Sequence, residues 1–310
     1  GGEYEEIAAT INSRHEMDAP ARIRLTGPTG SGKTHLPRYL AQEQGAPLID
    51  ISVKWAIDST DLLGRYVYVN DETRWINGPL TKAILASQEQ DVYLLLDEVN
   101  RARPEAKSAL FEALDDRTQV TIDALGGEII SGCAENIILF STMNTGKGHY
   151  TEEMDLAEKR RLGAVWELDY LGLGTPKQEV DLLVTRTNCS RAFAEASVQF
   201  ANSIRETAQE SDTDIQRGVA TGVLIEFVRL AIKYAGSDLS NPVVRAGMSQ
   251  IVRPLYHTAG RDQSGKETVV ELLNSYFNGC PVEAVLYGDE FDRWVGNDVE
   301  DTLDVETDHG

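Results

Sequence analysis

Gly27-Pro28-Thr29-Gly30-Ser31-Gly32-Lys33-Thr34 matches the phosphate-binding pattern G-x4-G-K-[ST], and its surroundings agree with the pattern. The apolar run Arg22–Thr26 reads as a strand feeding into it, and Lys33–Gln44 reads as a helix leaving it. Glycines let the backbone wrap close to phosphate oxygens, while successive amide N–H groups and the helix N-terminus face the anion. Gly27 through Gly32 form the cradle on this reading. Lys33 reaches the β and γ oxygens of a nucleoside triphosphate, expected to be ATP, and the Thr34 hydroxyl ligates magnesium. Pro37 falls early in the following helix, where a missing N–H is tolerated only near the first turn.

Working outward, Tyr93-Leu94-Leu95-Leu96-Asp97-Glu98 is an apolar strand that ends in two acids. Coupled to the phosphate loop, it reads as a Walker B motif: Asp97 holds the magnesium through water and Glu98 polarises the attacking water. Two acids at this point also separate the chain from small GTPases and from kinases that share the loop. Further strands are expected at Pro47–Ser52, Asn136–Ser141 and Ala164–Leu168, with helices over Gly78–Gln88 and Pro104–Leu114. Strands alternating with helices predict an α/β fold built on a parallel sheet, here a P-loop NTPase sheet flanked by helices.

From Thr175 onward the pattern is helix after helix. Thr175-Pro176-Lys177-Gln178 fits a capping box with proline at the first helical position, and further helices are expected over Ser190–Glu210, Gly218–Tyr234, Pro242–Tyr256 and Lys266–Phe277. The Gly-rich Leu171-Gly172-Leu173-Gly174 is taken as a hinge. Three parts follow: a nucleotide-binding α/β domain over residues 1–171, a smaller helical domain over 175–287 and an acidic, disordered tail over 288–310. Two hairpins are also expected. Gln119–Asp123 and Glu128–Ile130 flank Ala124-Leu125-Gly126-Gly127, and Gly64–Asp71 followed by Arg74-Trp75 forms the second, whose flanking aromatics and Arg either face outward or pack on the core as an edge hairpin.

Taken together, these motifs resemble the AAA+ ATPases. Asp97-Glu98-Val99-Asn100-Arg101-Ala102, Asp61-Leu62-Leu63-Gly64 and Gly78-Pro79-Leu80 narrow the resemblance to the MoxR-like, dynein-related group, which includes the CbbQ, NirQ and GvpN proteins. The likeness runs from about Arg22 to Arg161; beyond Thr175 it extends to the family's helical lid in pattern alone. It implies a ring, expected to be a hexamer, that acts as a chaperone on a protein partner, in this group often one with a von Willebrand factor A domain. It also implies site residues. Asn144, ending Ile137–Asn144, resembles the sensor-one residue that orients the lytic water. Ala157-Glu158-Lys159-Arg160-Arg161-Leu162 resembles the family's A-L-x-x-R-F, which puts Arg161, or the adjacent Arg160, on the arginine-finger position facing a neighbour's nucleotide. Glu158 and Leu162 depart from that pattern. Arg217 stands nearest to the lid's sensor-two arginine. The hairpin before the sensor-one strand is similar to the insertion of the family's clade.

Composition bounds the alternatives. Asp and Glu number 50 against 29 Lys and Arg, of which 20 are Arg and 9 are Lys, for a net charge of -21. A field so negative opposes non-specific binding to nucleic acid or anionic lipid. It reads as a halophile-like surface that suits a salt-rich cytoplasm. Cys133, Cys189 and Cys280 are far apart and fit a reducing compartment; the five His show no metal-ligand spacing, so no structural zinc is expected. No apolar run spans a bilayer, and the acidic GGEYEEIAAT start lacks a signal-peptide core. Its leading Gly1-Gly2 reads as a processing scar. Two competing functions share the core. A nucleic-acid motor or McrB-like NTPase would want a basic appended domain, and none is visible; a nucleotide-gated scaffold sits badly with intact Glu98, Asn144 and Arg161.

Overall fold

The run ahead of the phosphate loop is a strand inside a parallel sheet in the computed structural model. The structure describes residues 2–53, 57–102, 104–115, 117–144, 156–210, 213–215, 217–237, 239–256 and 264–286. The expected acidic tail over 288–310 lies outside the described residues. The chain divides into two compact units, Gly1–Leu168 and Asp169–Gly310.

The first unit runs α1 (Gly2–Met17), β1 (Ala21–Gly27), α2 (His35–Gln44), β2 (Leu48–Ser52), α3 (Ser59–Leu63), β3 (Gly64–Val69), β4 (Glu72–Asn77), α4 (Pro79–Ala86), β5 (Val92–Asp97), α5 (Pro104–Ala113), β6 (Gln119–Ile122), β7 (Glu128–Ser131), β8 (Ile137–Asn144), α6 (Leu156–Arg161) and β9 (Ala164–Glu167). Five strands form one sheet in the order β2-β5-β8-β1-β9, with every pairing parallel. Such a sheet needs cover on both faces, and the stretches Val92–Leu96 and Ile137–Phe140 of the central strands are accordingly apolar at successive rather than alternate positions. Val92, Leu94, Leu96, Ile137 and Leu139 pack with Leu80, Ala83, Ala106 and Leu110 of α4 and α5. Tyr93, Leu95, Ile138 and Phe140 turn the other way, onto Ile7, Ile11, Leu40 and Ala41 of α1 and α2. The five expected strands are all present. β8 runs three residues beyond its expected end because its ladder with β1 continues to the Gly27↔Asn144 pair.

Departures from expectation include the first helix and the cap at Thr175, and the expected Pro242–Tyr256 helix is interrupted by a π turn over Met248–Val252. α1 takes in Gly2, which the sequence reading sets aside, and it is fixed by Arg14, whose guanidinium donates to the Glu135 carbonyl at 2.8 Å and pairs with Asp91. Thr175 makes no capping box at the helix that starts at Pro176. Its backbone is at φ -138°, ψ 70°, and its hydroxyl lies 3.2 Å from the Leu171 carbonyl, so it satisfies the preceding turn instead.

Both hairpins form. β3 and β4 are joined through Asn70 and Asp71, each at positive φ, the geometry of a two-residue turn whose twist matches the strands. Tyr66 and Trp75 pair edge-to-face across it at 5.2 Å. β6 and β7 are linked through Gly126 and Gly127, and the Tyr66 hydroxyl donates to the Ala124 carbonyl in that linker at 3.4 Å.

In the second unit every described element is helical: α7 (Leu171–Gly174), α8 (Pro176–Thr187), α9 (Arg191–Gln209), α10 (Thr221–Ala235), α11 (Pro242–Gly247), a π turn over Met248–Val252, α12 (Arg253–Tyr256), α13 (Ser264–Phe277) and α14 (Val282–Leu286). Phe193, Phe200, Phe227 and Phe277 meet edge-on or tilted at its centre, with centroids 5.4 to 6.3 Å apart. Beside them lies a charge pair with no exposure at either side chain: Arg205 reaches Glu179 through Nη1 and Nη2 at 2.7 and 2.8 Å. Val219 O, Asn202 and Thr221 complete the hydrogen bonding, and the Tyr170 ring lies 4.9 Å from the guanidinium. Gly172, in the stretch read as a hinge, sits against this pair; a Cβ there would stand 2.0 Å from Glu179 Oε2.

Removing one partner of a buried pair strands the other charge, which costs about 3–5 kcal/mol. Glu179→Ala is therefore expected to lower the unfolding free energy of this unit by about that amount in urea titration. A loss near that of an exposed ion pair, under about 1 kcal/mol, would show that the pair is solvated.

Candidate active site

The phosphate loop is shaped by glycines that no other residue could replace without strain. Gly27, Gly30 and Gly32 have φ of 143°, 85° and 92°, and a Cβ on Gly27 would lie 2.0 Å from the Leu168 carbonyl oxygen. Pro28, Thr29 and Ser31 carry the turn between them, and the Ser31 amide donates to Pro28 O at 3.3 Å. α2 starts at His35, just after Thr34, with Pro37 in its first turn.

Lys33 is 5% exposed. Its ammonium donates to Gly27 O at 3.0 Å, to Pro28 O at 2.6 Å and to Ser31 Oγ at 3.4 Å. Burial pulls its pKa down to about 8, opposed by the negative charge of Asp97 and Glu98.

β5 delivers the two acids. Asp97 O accepts from the Val53 amide at 2.9 Å, and Asp97 Oδ1 accepts the Thr34 hydroxyl at 3.1 Å, so the two expected metal donors stand side by side. A hydroxyl and a carboxylate oxygen at one point suit a hard cation such as magnesium. Glu98 follows at φ 58°, ψ 43°, a left-handed conformation that a non-glycine residue adopts at a cost of roughly 1–3 kcal/mol. Both of its carboxylate oxygens are held: Asn144 Nδ2 donates to Oε1 at 2.9 Å, and Arg101 Nη1 pairs with Oε2 at 2.8 Å.

Asn144, Glu98, Asp97, Thr34 and Lys33 thus come together at the carboxyl ends of adjacent strands. Arg161 and Arg160 lie elsewhere in the first unit, on α6. Arg161 is half-buried with its guanidinium 5.8 Å from the Phe111 ring centre, whereas Arg160 is exposed. The departure at Glu158 has a purpose: Glu158 pairs with the largely buried Lys107 of α5 at 3.3 Å and fastens the short helix. Arg217 does not open a helix as expected. α10 starts at Thr221, and exposed Arg217 precedes it in the second unit, where its carbonyl accepts the Tyr256 hydroxyl at 2.5 Å.

Sequence reading missed Thr142 and Arg101. Thr142 Oγ1 donates to Asp97 Oδ1 at 2.5 Å and accepts from the Glu98 amide at 3.0 Å. A hydroxyl two positions before the strand-ending Asn, hence on the same face, and an Arg three positions after the base are the signals that point to them.

The AAA domain of the dynein-related subfamily matches residues 22–162. NorQ of Paracoccus denitrificans is 30% identical over 233 residues, covering 75% of this chain and 79% of that protein. CbbQ of Hydrogenophilus thermoluteolus is 27% identical over 254 residues, covering 81% and 85%. Among solved structures, the Thermotoga maritima RuvB Holliday junction branch migration motor aligns with a TM-score of 0.52 at 16% identity, over 96% of this chain and 88% of that one, a likeness of fold.

Phosphates would hold the Lys33 proton that solvent removes above about pH 8. The affinity for Mg-ATP is therefore expected to be level from pH 6.5 to 7.5 and then to weaken by up to about tenfold per pH unit. Stability moves the other way: with a folded pKa below the ordinary 10.5, the folded state binds fewer protons between about 8 and 10.5 and gains stability as pH rises through that window. Equilibrium titration with a fluorescent ATP analogue checks the first point, and a flat dissociation constant to pH 9.5 would contradict it.

Proposed function

The chain belongs to the AAA+ ATPases of the dynein-related, MoxR-like group, and from that premise we propose that it is a magnesium-dependent ring ATPase that remodels a protein partner. The observation that carries the reading is Glu98, set at the strand end between Asn144 and Arg101 and beside the Asp97–Thr34 pair. Thr34 and Asp97 would hold magnesium, which when bound supplies Lewis-acid stabilisation of the phosphate oxygens. Lys33 meets the β and γ oxygens of ATP. Asn144 orients water, whose oxygen bonds to the γ-phosphorus as the bond to the ADP oxygen breaks; Glu98 accepts the proton, leaving ADP and phosphate. Asn144 and Arg101 each occupy one lone pair of the Glu98 carboxylate, and each oxygen keeps a second with which to meet that water.

Completing the site from a neighbouring subunit by Arg161, or by the more exposed Arg160, suits a planar and permanently charged donor. It makes the ring, taken as a hexamer, a requirement of turnover rather than an accessory. The paired hairpins present Tyr66, Tyr68, Val69, Ile76 and Ile129 to solvent, which supports a protein partner; a von Willebrand factor A domain is the partner we expect. Arg217 serves as the lid's sensor in this scheme, over domains 1–171 and 175–287. Among the described residues no helix is long and apolar enough to cross a membrane. The charge of -21 supports a cytoplasmic, salt-adapted protein and disfavours a nucleic-acid substrate.

Lys33→Ala is expected to abolish nucleotide binding, and Glu98→Gln to retain binding while losing turnover, because Lys33 contacts ground-state phosphates and Glu98 acts on water in the transition state. Arg161→Ala should bind ATP and hydrolyse it slowly. Mixing it with Glu98→Gln subunits should restore part of the rate by creating interfaces that hold an intact base and an intact finger. A monomer that hydrolyses ATP at a specific rate independent of protein concentration would rule out the ring.

Salt provides a separate check, since the Debye length falls from about 10 Å at 0.1 M to about 3 Å at 1 M. Assembly and ATPase rate should both rise toward molar potassium chloride, without stimulation by single- or double-stranded DNA or RNA. Strong stimulation there would favour the motor reading, and highest activity in dilute buffer would refute salt adaptation.

A further inference from the structure

We propose that Thr142 is a positioning residue for hydrolysis, its one hydroxyl fixing the metal-binding carboxylate and the base against each other. The proposal rests on the ATPase reading above. The β5–β8 ladder ends at the Leu96↔Ser141 pair, so on the β8 side the two acids stand beyond it and need another means of alignment, while on the other side Asp97 is paired with Ser52 of β2. Thr142 supplies one from the neighbouring strand. Its oxygen accepts from the Glu98 N–H at 3.0 Å, and its hydroxyl donates to Asp97 Oδ1 at 2.5 Å. A hydroxyl has one proton and two lone pairs, so the two bonds coexist without conflict.

Three features make this more than local packing. Thr142 is 1% exposed, so water has little access to replace either bond. The amide it holds belongs to a residue at φ 58°, ψ 43°, and without an acceptor there the left-handed turn would lose one of its supports. The Asp97 oxygen it holds is the one that also takes the Thr34 hydroxyl at 3.1 Å, so a single side chain connects the base to the expected metal donors. The β-branched side chain has few rotamers to choose from in a strand, which keeps the hydroxyl aimed. Arg101 and Asn144 fix the Glu98 carboxylate, and Thr142 fixes the peptide that carries it.

The test uses the full chain and three substitutions. Thr142→Val keeps the shape and removes the hydroxyl, Thr142→Ser keeps the hydroxyl, and Thr142→Ala replaces the Val variant should that one not fold. Two readouts are taken: hydrogen exchange at the Glu98 amide, which needs no turnover, and ATPase kcat beside the dissociation constant of a fluorescent ATP analogue. We expect faster Glu98 exchange in Thr142→Val, a kcat lower by about 10- to 100-fold and a dissociation constant within about threefold of the wild type. Thr142→Ser should recover most of both. Wild-type exchange or kcat in the hydroxyl-free variant would overturn the proposal, as would a Ser variant no better than Val. A wild-type protein without ATPase activity would instead sink the reading beneath it, and the exchange measurement would still decide what Thr142 holds.

Discussion

Burial of β5 and β8 on both faces confines charged side chains to the ends of the strands, and the carboxyl ends receive the reactive ones. Tyr93 through Leu96 and Ile137 through Phe140 are closed in by helices from either side. A carboxylate within those runs would have to be desolvated. Asp97, Glu98 and Asn144 therefore fall at the edge where the phosphate loop also emerges from β1. The reactive groups are adjacent because the strands are parallel and in register, and the register is fixed by the apolar residues behind them.

What the edge gains in proximity it gives up in regular hydrogen bonding. Glu98 turns left-handed at the point where the ladder stops, and a backbone conformation of that cost persists only where its surroundings over-determine it. Here they do. The Arg101 amide donates to Glu98 O at 2.9 Å, its guanidinium takes one carboxylate oxygen, and Asn144 takes the other. The base is preorganised by groups that reach it from three directions.

The sheet was legible in the sequence because two-sided burial writes an uninterrupted apolar run, and the phosphate loop because its glycines are dictated by φ rather than by packing. Local contacts between polar side chains leave a fainter trace. Ser141-Thr142-Met143 puts a hydroxyl on the face of Asn144 without announcing that two acids share it. The Thr175 cap failed because a capping pattern describes which donors are available, and the turn at Leu171 competed for the same hydroxyl. Arg217 was placed at a helix start that the chain reaches only at Thr221. α1 was overlooked for a third reason: it buries chiefly Ile7 and Ile11, one turn apart, and the rest of its surface is too polar to give a periodic signal.

That helix carries a lesson about boundaries. The residues shared with the dynein-related AAA domain begin at position 22, after α1 has ended. Yet Ile7 and Ile11 roof the face of the sheet occupied by Tyr93 and Phe140, and Arg14 clasps the segments that lead into β5 and β8. The unit of inheritance and the unit of folding are therefore not the same length. A fragment whose start is trimmed to that of the recognisable domain would keep every catalytic group while unroofing an aromatic surface, and its shortcoming would be stickiness rather than lost chemistry.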